Sequence, residues 1–311
     1  MITTIDPYHF ELIQFLKKED DLFMITTKNM KRTLSVQDIS CFGRCSLTVA
    51  LPVLSAMGIE TAILPTAVLS THTGGFKGFT FCDLTGEMAP ITDHWVKEGV
   101  TFDSIGTGYL GSDEQIALVS DIFDRLGKDA LIFVDPVMAD HGKLYTGFSP
   151  DFPSKMAKLC GKADIIVPNL TEAAFLLGEP YVGSGYDEDY IHGLLKRLTE
   201  KLGCPVAVLT GVIFDPAKQG AVAYDSREDK FYEYFGENLP VAFHGTGDVF
   251  SSSLCGALTL GAPMTEALGI AVNFTLDAIR NTMGVEDTYW YGVNFEKGLG
   301  DLAAEAKKLT K

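Results

Sequence analysis

The sequence predicts an α/β fold of three layers, αβα, with a central and mostly parallel sheet. Three observations predict it. Strand-like and helix-like segments alternate from residue 32 onward. Several of the strands are apolar from end to end, as strands covered on both faces are. Polar and glycine-rich residues follow almost every strand, as expected where an open parallel sheet binds its ligand at the carboxyl edge.

The elements follow in order. "TLSVQDIS" reads as a short strand, and "SLTVALPVLSAMG" as a helix closing on Gly58. "ETAILPTAVLS" is a strand with Pro65 inside it, and "FDSIGTGYLG" leads from strand to loop. "SDEQIALVSDIFDRLG" has the signals of a helix, with Ser112 as cap and Gly127 as stop. "ALIFVDP" is a fully apolar strand ending in an acid, and "DIIVPNLTEAAFLLG" runs strand, loop, helix. "DEDYIHGLLKRLTEKLG" is an amphipathic helix, and "PVAVLTG" a buried strand. "GAVAYDS" and "KFYEYFG" alternate as the two arms of a hairpin do. Three helical segments close the chain, starting at Asp248, Thr265 and Phe295.

The chain has 311 residues, 46% of them hydrophobic, enough to bury a large core. Residues 30–311 show no linker, repeat or low-complexity tract and read as one domain of about 280 residues. Residues 1–29 read differently: "DPYHFELIQFLKKEDD" suits a short capped helix, but "FMITTKNM" has no clear role. That stretch is expected to be a flexible N-terminal extension or an artefact of start-site assignment. No apolar run reaches membrane-spanning length and no secretory pattern opens the chain, which predicts a cytoplasmic protein with no membrane partner. A net charge of −16 argues against nucleic acid, but a nucleotide needs only a local pocket. Six scattered cysteines complete no zinc pattern and are expected to be reduced and mostly buried.

The candidate site lies along one sheet edge. Asp38 and Ser40 follow the first strand, and Ser70 to Gly75, including His72 and Thr73, follow the next. Gly106, Gly108 and Tyr109 come after, then Asp135, then Asn169 and Glu172, then Thr210 and Gly211, and last Gly245-Thr246-Gly247-Asp248. The glycine-flanked start of a helix offers unpaired N–H groups and a positive dipole end to an anion. Asp248 there is either an N-cap or a base beside a bound phosphate. Asn169 and Glu172 also have the spacing of a capping box. His72 also suits a satisfied structural histidine, and Tyr109 a packing aromatic. "GTGYLG" matches the dinucleotide fingerprint and Asp135 ends the next strand, which raises an NAD-dependent dehydrogenase as an alternative. Against it, the cap signal Ser112-Asp113 comes after the last glycine instead of within the motif.

"GTGD" at a late helix, "DPVM" after an apolar strand and "PNLTE" after another together resemble the ribokinase superfamily. "STHTGGF", "GYLGS" and "DPVMADHGKLY" resemble its pyridoxal kinase branch more narrowly, from about residue 32 to about 290. The resemblance implies a ribokinase-like fold and an ATP- and Mg²⁺-dependent kinase, with room for a monovalent cation. It implies phosphorylation of the hydroxymethyl group of a vitamin B6 vitamer by a homodimer. By the same resemblance Asp248 takes the proton from the substrate hydroxyl, and Gly245, Thr246 and Gly247 form the anion hole. Asn169 and Glu172 would support the metal and the nucleotide phosphates with Asp135 nearby, Thr210 would contact the phosphates, and His72, Thr73 and Tyr109 would line the vitamin pocket, with Asp38 at the substrate as well. No Walker lysine motif is present, so charge neutralisation would fall to the metal and to backbone N–H groups.

The first loop departs from the branch. Many pyridoxal kinases carry Gln-Ser-His after the first strand, whereas "VQDISCFG" places Asp38 where the serine stands. An acid there resembles the hydroxymethylpyrimidine kinases of thiamine synthesis, which phosphorylate a similar heterocyclic alcohol and form the alternative function. A ligand-binding protein without turnover is a further alternative, against which the intact Asp248 loop speaks.

Overall fold

In the computed structural model, which describes residues 30–283 and 290–310, the first apolar run becomes strand β1, Arg32–Ser40. It crosses into helix α1, Leu47–Ala56, and returns as β2, Glu60–Leu69, parallel to β1. Pro65 interrupts nothing, because it pairs with Gln37 immediately before the register of the two strands shifts. A proline cannot donate to a ladder, so a bulge is where a strand tolerates one. The expected extension, residues 1–29, lies outside the described residues. The sheet and all helices below belong to the unit Lys31–Lys311.

A short antiparallel strand, β3, Phe81–Asp83, precedes helix α2, Thr85–Lys97. The chain continues as β4, Ser104–Thr107; α3, Asp113–Leu126; and β5, Leu131–Val134. A small hairpin, β6 at Ala139–Asp140 and β7 at Lys143–Leu144, leads to α4, Phe152–Cys160. Then come β8, Ile165–Ile166; α5, Leu170–Leu177; α6, Glu188–Leu202; and β9, Val206–Val212. The expected hairpin is β10, Lys218–Asp225, with β11, Lys230–Glu237. The last helices are α7, Thr246–Thr259; α8, Met264–Met283; and α9, Leu299–Leu309, the last preceded by a single tight turn at Glu296–Gly298.

The nine strands order as β11-β10-β9-β8-β5-β4-β1-β2-β3, and the pairs from β2 through β9 are parallel. Chain order reverses at β1, which has β2 on one side and β4 on the other; such a reversal opens a crevice at the carboxyl edge.

Side-chain alternation feeds two cores, one per face. Ile132 and Val134 face one with Ala207 and Leu209, while Phe133 faces the other with Val206 and Val208. Helices α2 to α6 cover the first face, and α1, α7, α8 and α9 cover the second. Each fully buried Leu, Ile or Phe here contributes about 1.5–3 kcal/mol relative to leaving it exposed. This is the three-layer architecture that the apolar strands predict.

Helices α2 and α4 and the hairpin β6–β7 have no counterpart in the sequence reading. Helix α2 contains Gly86 and Pro90 and has no side-chain cap, so local signals argue against it. Buried Met88 and half-buried Ile91 and Trp95 hold it to the sheet. All six cysteines are free, and only Cys160, Cys204 and Cys255 are buried, so half are inside and not most. Cys41 and Cys82 lie on loop and edge positions that no helix covers.

Candidate active site

The carboxyl edge of the sheet collects the candidate residues. Asp248 sits in the first turn of α7, but the N-cap of that helix is Gly245, at φ 81°. The capping reading of Asp248 is therefore replaced: its side chain is left for other work. Gly245 has two reasons to be glycine. Its φ is positive, and a Cβ there would stand 2.0 Å from the Arg44 carbonyl oxygen. The backbone at Arg44 is thus pressed directly against the helix start. Gly247 is exposed, with open space where a side chain would be, so a bulky anion can reach the first N–H groups. Burial, and then the charge of Asp38, raise the Asp248 carboxyl to about 7, although the Ser46 backbone N–H works against this.

Asp135 closes β5 and accepts a hydrogen bond from Ser251 Oγ, 2.5 Å away on the second turn of α7. Glu172 is buried in the first turn of α5, and the capping box is real: Asn169 Oδ1 accepts from the Thr171 and Glu172 N–H groups. Glu172 Oε2 accepts from the Asn169 N–H at 2.9 Å, and Oε1 from the Met138 N–H at 3.0 Å. So Glu172 does more than cap, since it also ties down the "DPVM" segment. Burial raises both carboxyls, and for Asp135 the Glu172 charge adds to it. Among the described residues no group of three or more His, Cys, Asp or Glu side chains stands ready-made around a metal position. Asn169 spends its amide on the Ala139 carbonyl at 2.8 Å, and Thr210 bridges Asn169 through the backbone.

Asp38, 4% exposed, lies in the last residues of β1 with both oxygens engaged: Oδ1 accepts from Ser46 Oγ at 2.6 Å and Oδ2 from Ser40 Oγ at 2.9 Å. Burial raises its carboxyl, and the two hydroxyls lower it in part. Tyr109 lies half-buried with its ring 5.5 Å from that of Phe148; burial and the Asp38 charge raise its phenol. His72 is buried and both its nitrogens are spent. Nε2 lies 2.7 Å from the Tyr291 carbonyl, and Nδ1 accepts from the Gly74 N–H, which fixes the Nε2–H tautomer. Both nitrogens of His72 thus have partners within the protein, whereas Thr73 is exposed on the same loop. Burial makes His72 harder to protonate.

Around His72 the ring of Phe76 stands 5.0 Å away and that of His244 5.1 Å away, and Phe76 meets Trp290 at 4.6 Å. The glycines of "STHTGGF" permit this. A Cβ on Gly74 would meet the His244 ring at 2.6 Å, and one on Gly75 the Trp290 ring at 2.7 Å. The sequence reading missed Ser46, Ser251, His244 and this aromatic cluster. Only Ser251 had a local signal, being three residues beyond Asp248 on one helix.

"GTGYLG" does not form a phosphate loop. Gly106 lies within β4, Gly108 lies under Gln37 with no room for a Cβ, and α3 begins only after Ser112, whose Oγ accepts from the Gln115 N–H. The dehydrogenase alternative loses its structural basis.

A doubly wound sheet with its chain reversal at β1, and a glycine-flanked helix start delivering an aspartate to that edge, define a ribokinase-like kinase. The phosphomethylpyrimidine kinase family model matches residues 50–292, and the chain belongs to that family of the pyridoxal and phosphomethylpyrimidine kinases. A Bacteroides thetaiotaomicron protein provisionally assigned as a phosphomethylpyrimidine kinase, in a crystal form with pyridoxal, is 42% identical. It aligns over 88% of this chain and 96% of its own, with a TM-score of 0.82. Pyridoxal kinase from Lactobacillus plantarum is 32% identical, over 88% of this chain and 97% of its own, with a TM-score of 0.81. The hydroxymethylpyrimidine/phosphomethylpyrimidine kinase of Rhizobium meliloti is 26% identical over 79% of this chain and 89% of its own. No helix among the described residues is long and apolar enough to cross a membrane.

Proposed function

We propose that this kinase transfers the γ-phosphoryl group of ATP to the hydroxymethyl group of a vitamin B6 vitamer. The observation that carries the reading is a buried Asp38 on β1 brought to the same sheet edge as Asp248 at the helix start. The similar protein with pyridoxal in its crystal supports the B6 assignment.

In this mechanism Asp248 accepts the proton of the substrate hydroxyl as the oxygen attacks the γ-phosphorus and the bond to the β–γ bridging oxygen breaks. A carboxyl raised to about 7 is a base matched to neutral pH. The N–H groups of Gly245-Thr246-Gly247 and the positive end of α7 hold the charge on the transferring group. Asp38 accepts a hydrogen bond from the ring or its aminomethyl group, and Tyr109 flanks the ring.

The residues fit a divalent cation. Asp135 leaves one carboxylate oxygen without a hydrogen bond among the described residues, and burial, with the Glu172 charge after it, raises its carboxyl. Mg²⁺ needs one or two carboxylates and keeps its waters, so Asp135 would bind it directly and Glu172 through water. When bound, it would neutralise the phosphates. Asn169 and Thr210 complete the phosphate side. A homodimer is part of this reading by likeness to the pyridoxal kinases.

The second reading is hydroxymethylpyrimidine kinase. The family description and the acid at position 38 favour it, since a carboxylate suits an aminopyrimidine equally. The test is ADP release with pyridoxal, pyridoxamine, pyridoxine and hydroxymethylpyrimidine. A B6 vitamer should give the highest kcat/KM; hydroxymethylpyrimidine exceeding all three would overturn the first reading.

A further inference from the structure

Ser46 has a backbone that suits glycine better than serine. Its φ of 56° and ψ of −133° lie where a Cβ is unwelcome; among the described non-glycine residues only His141 and Asp229 also have positive φ. It occupies the N-cap of α1, the position where a serine ordinarily caps, yet its side chain makes no capping bond. The hydroxyl turns instead to Asp38 Oδ1, at 2.6 Å. Its carbonyl accepts from the Val49 and Ala50 N–H groups and so starts the helix. Its N–H faces Asp248. The hydroxyl of this one buried residue is bonded to one acid of the mechanism, and its N–H is directed at the other.

The segment around it is held from several sides, which is how a strained backbone persists. Gly245 abuts the Arg44 carbonyl, Gly43 abuts the His72 ring, and Thr48 Oγ1 donates to the Cys45 carbonyl at 2.8 Å. Glycine at 46 would remove the strain and keep the N–H. What serine adds is the hydroxyl on Asp38.

We propose that Ser46 is a positioning residue that ties Asp38 to Asp248, so that one backbone unit sets the spacing between the ring-binding acid and the hydroxyl-activating base. The inference rests on the mechanism proposed above. A heterocyclic alcohol spans a fixed distance from ring to hydroxyl, so the two acids must hold theirs. A residue held between them by its own backbone and by its bond to Asp38 does this without relying on flexible side chains.

The test uses Ser46→Ala, Ser46→Gly and the double variant Asp38→Asn/Ser46→Ala in the full chain. Steady-state kinetics are run with varied ATP and with varied alcohol, using whichever of the four alcohols the unsubstituted chain phosphorylates fastest. Both single variants should lose about tenfold or more in kcat/KM for the alcohol, the cost of depriving a charged acceptor of its donor, with KM for ATP within about twofold. Ser46→Gly should melt above Ser46→Ala, since only glycine relieves the positive φ, so an equal kinetic loss in both variants is not a mere folding defect. In the Asp38→Asn background the loss from Ser46→Ala should shrink, because its partner carboxylate is gone. Unchanged alcohol kinetics in both single variants, or an undiminished loss in the Asp38→Asn background, would overturn the inference and leave the mechanism standing. A chain that phosphorylates none of the four alcohols overturns the mechanism and this inference with it.

Discussion

The sharpest consequence of the site concerns the titration of Asp248. Its carboxyl is raised to about 7, first by burial and then by the negative charge of Asp38. A base must be ionised to accept a proton. With a midpoint near 7, about one-eleventh is ionised at pH 6, about half at pH 7 and about ten-elevenths at pH 8. So kcat/KM for the alcohol should rise about tenfold from pH 6 to pH 8. Asp38→Asn removes one of the two causes, and the rising limb should move to lower pH while staying above the ordinary aspartate range. Asp248→Asn keeps shape and removes the base; kcat should fall by about 10²–10⁴ and the limb should vanish. Stability has the opposite sign. A carboxyl raised in the folded state stabilises the fold fully below its unfolded value, and that contribution is lost as pH rises through about 7. The melting temperature should therefore fall from pH 6 to pH 8 less steeply in Asp248→Asn than in the unsubstituted chain. The assays are coupled ADP release and thermal melting across this range. A flat pH–rate profile, or a folded Asp248→Asn variant with near-normal kcat, refutes the assignment of Asp248 as the base.

Glu172→Gln places an amide NH₂ against one of the backbone N–H donors that the carboxylate now accepts, so the fold should lose about 1–3 kcal/mol in denaturant titration. The same variant should need more Mg²⁺ for half-maximal rate; an unchanged Mg²⁺ titration would leave Glu172 as a capping residue only. Asp38→Ser should shift preference from pyridoxamine toward pyridoxal, and equal kcat/KM ratios before and after would remove Asp38 from the pocket. Gly245→Ala drives a Cβ into the Arg44 carbonyl at a positive φ, and should lower both melting temperature and turnover; a variant with neither change would mean that the helix start is not fixed by that contact.

Much of this was legible in the chain because its causes are local. Ser112 and Asp187 cap helices with their own side chains, and Gly178 and Gly203 end helices in the left-handed conformation. The apolar strands announced a sheet covered on both faces, and the acids at strand ends announced its working edge. The failures have a common origin in distance. Helix α2 holds together through packing that overrides Gly86 and Pro90. The seat of His72 depends on the carbonyl of Tyr291, and Arg44 reaches Glu296 at 2.8 Å, each from opposite ends of the chain. Sequence could name Asp38 as an unusual acid but not find the two hydroxyls on it, because the strained turn at Ser46 has no pattern of its own.

The electrostatics of the edge explain why the work is divided as proposed. Asp38, Asp135, Glu172 and Asp248 are all raised carboxyls, and several of them raise one another. Among the described residues no lysine or arginine forms an ion pair with any of the four. Such an edge by itself repels a triphosphate. It accepts one only if positive charge arrives with the nucleotide, or if the phosphate is met by something other than a side chain. In the proposed mechanism a divalent cation at Asp135 would supply the first, and the start of α7 the second. Neutralising the acids from outside also lowers the affinity of Asp248 for its proton, so the base would be most fully ionised when the nucleotide is in place. In that mechanism an acid-lined crevice with a helix start at its centre would couple activation of the alcohol to arrival of the phosphoryl donor.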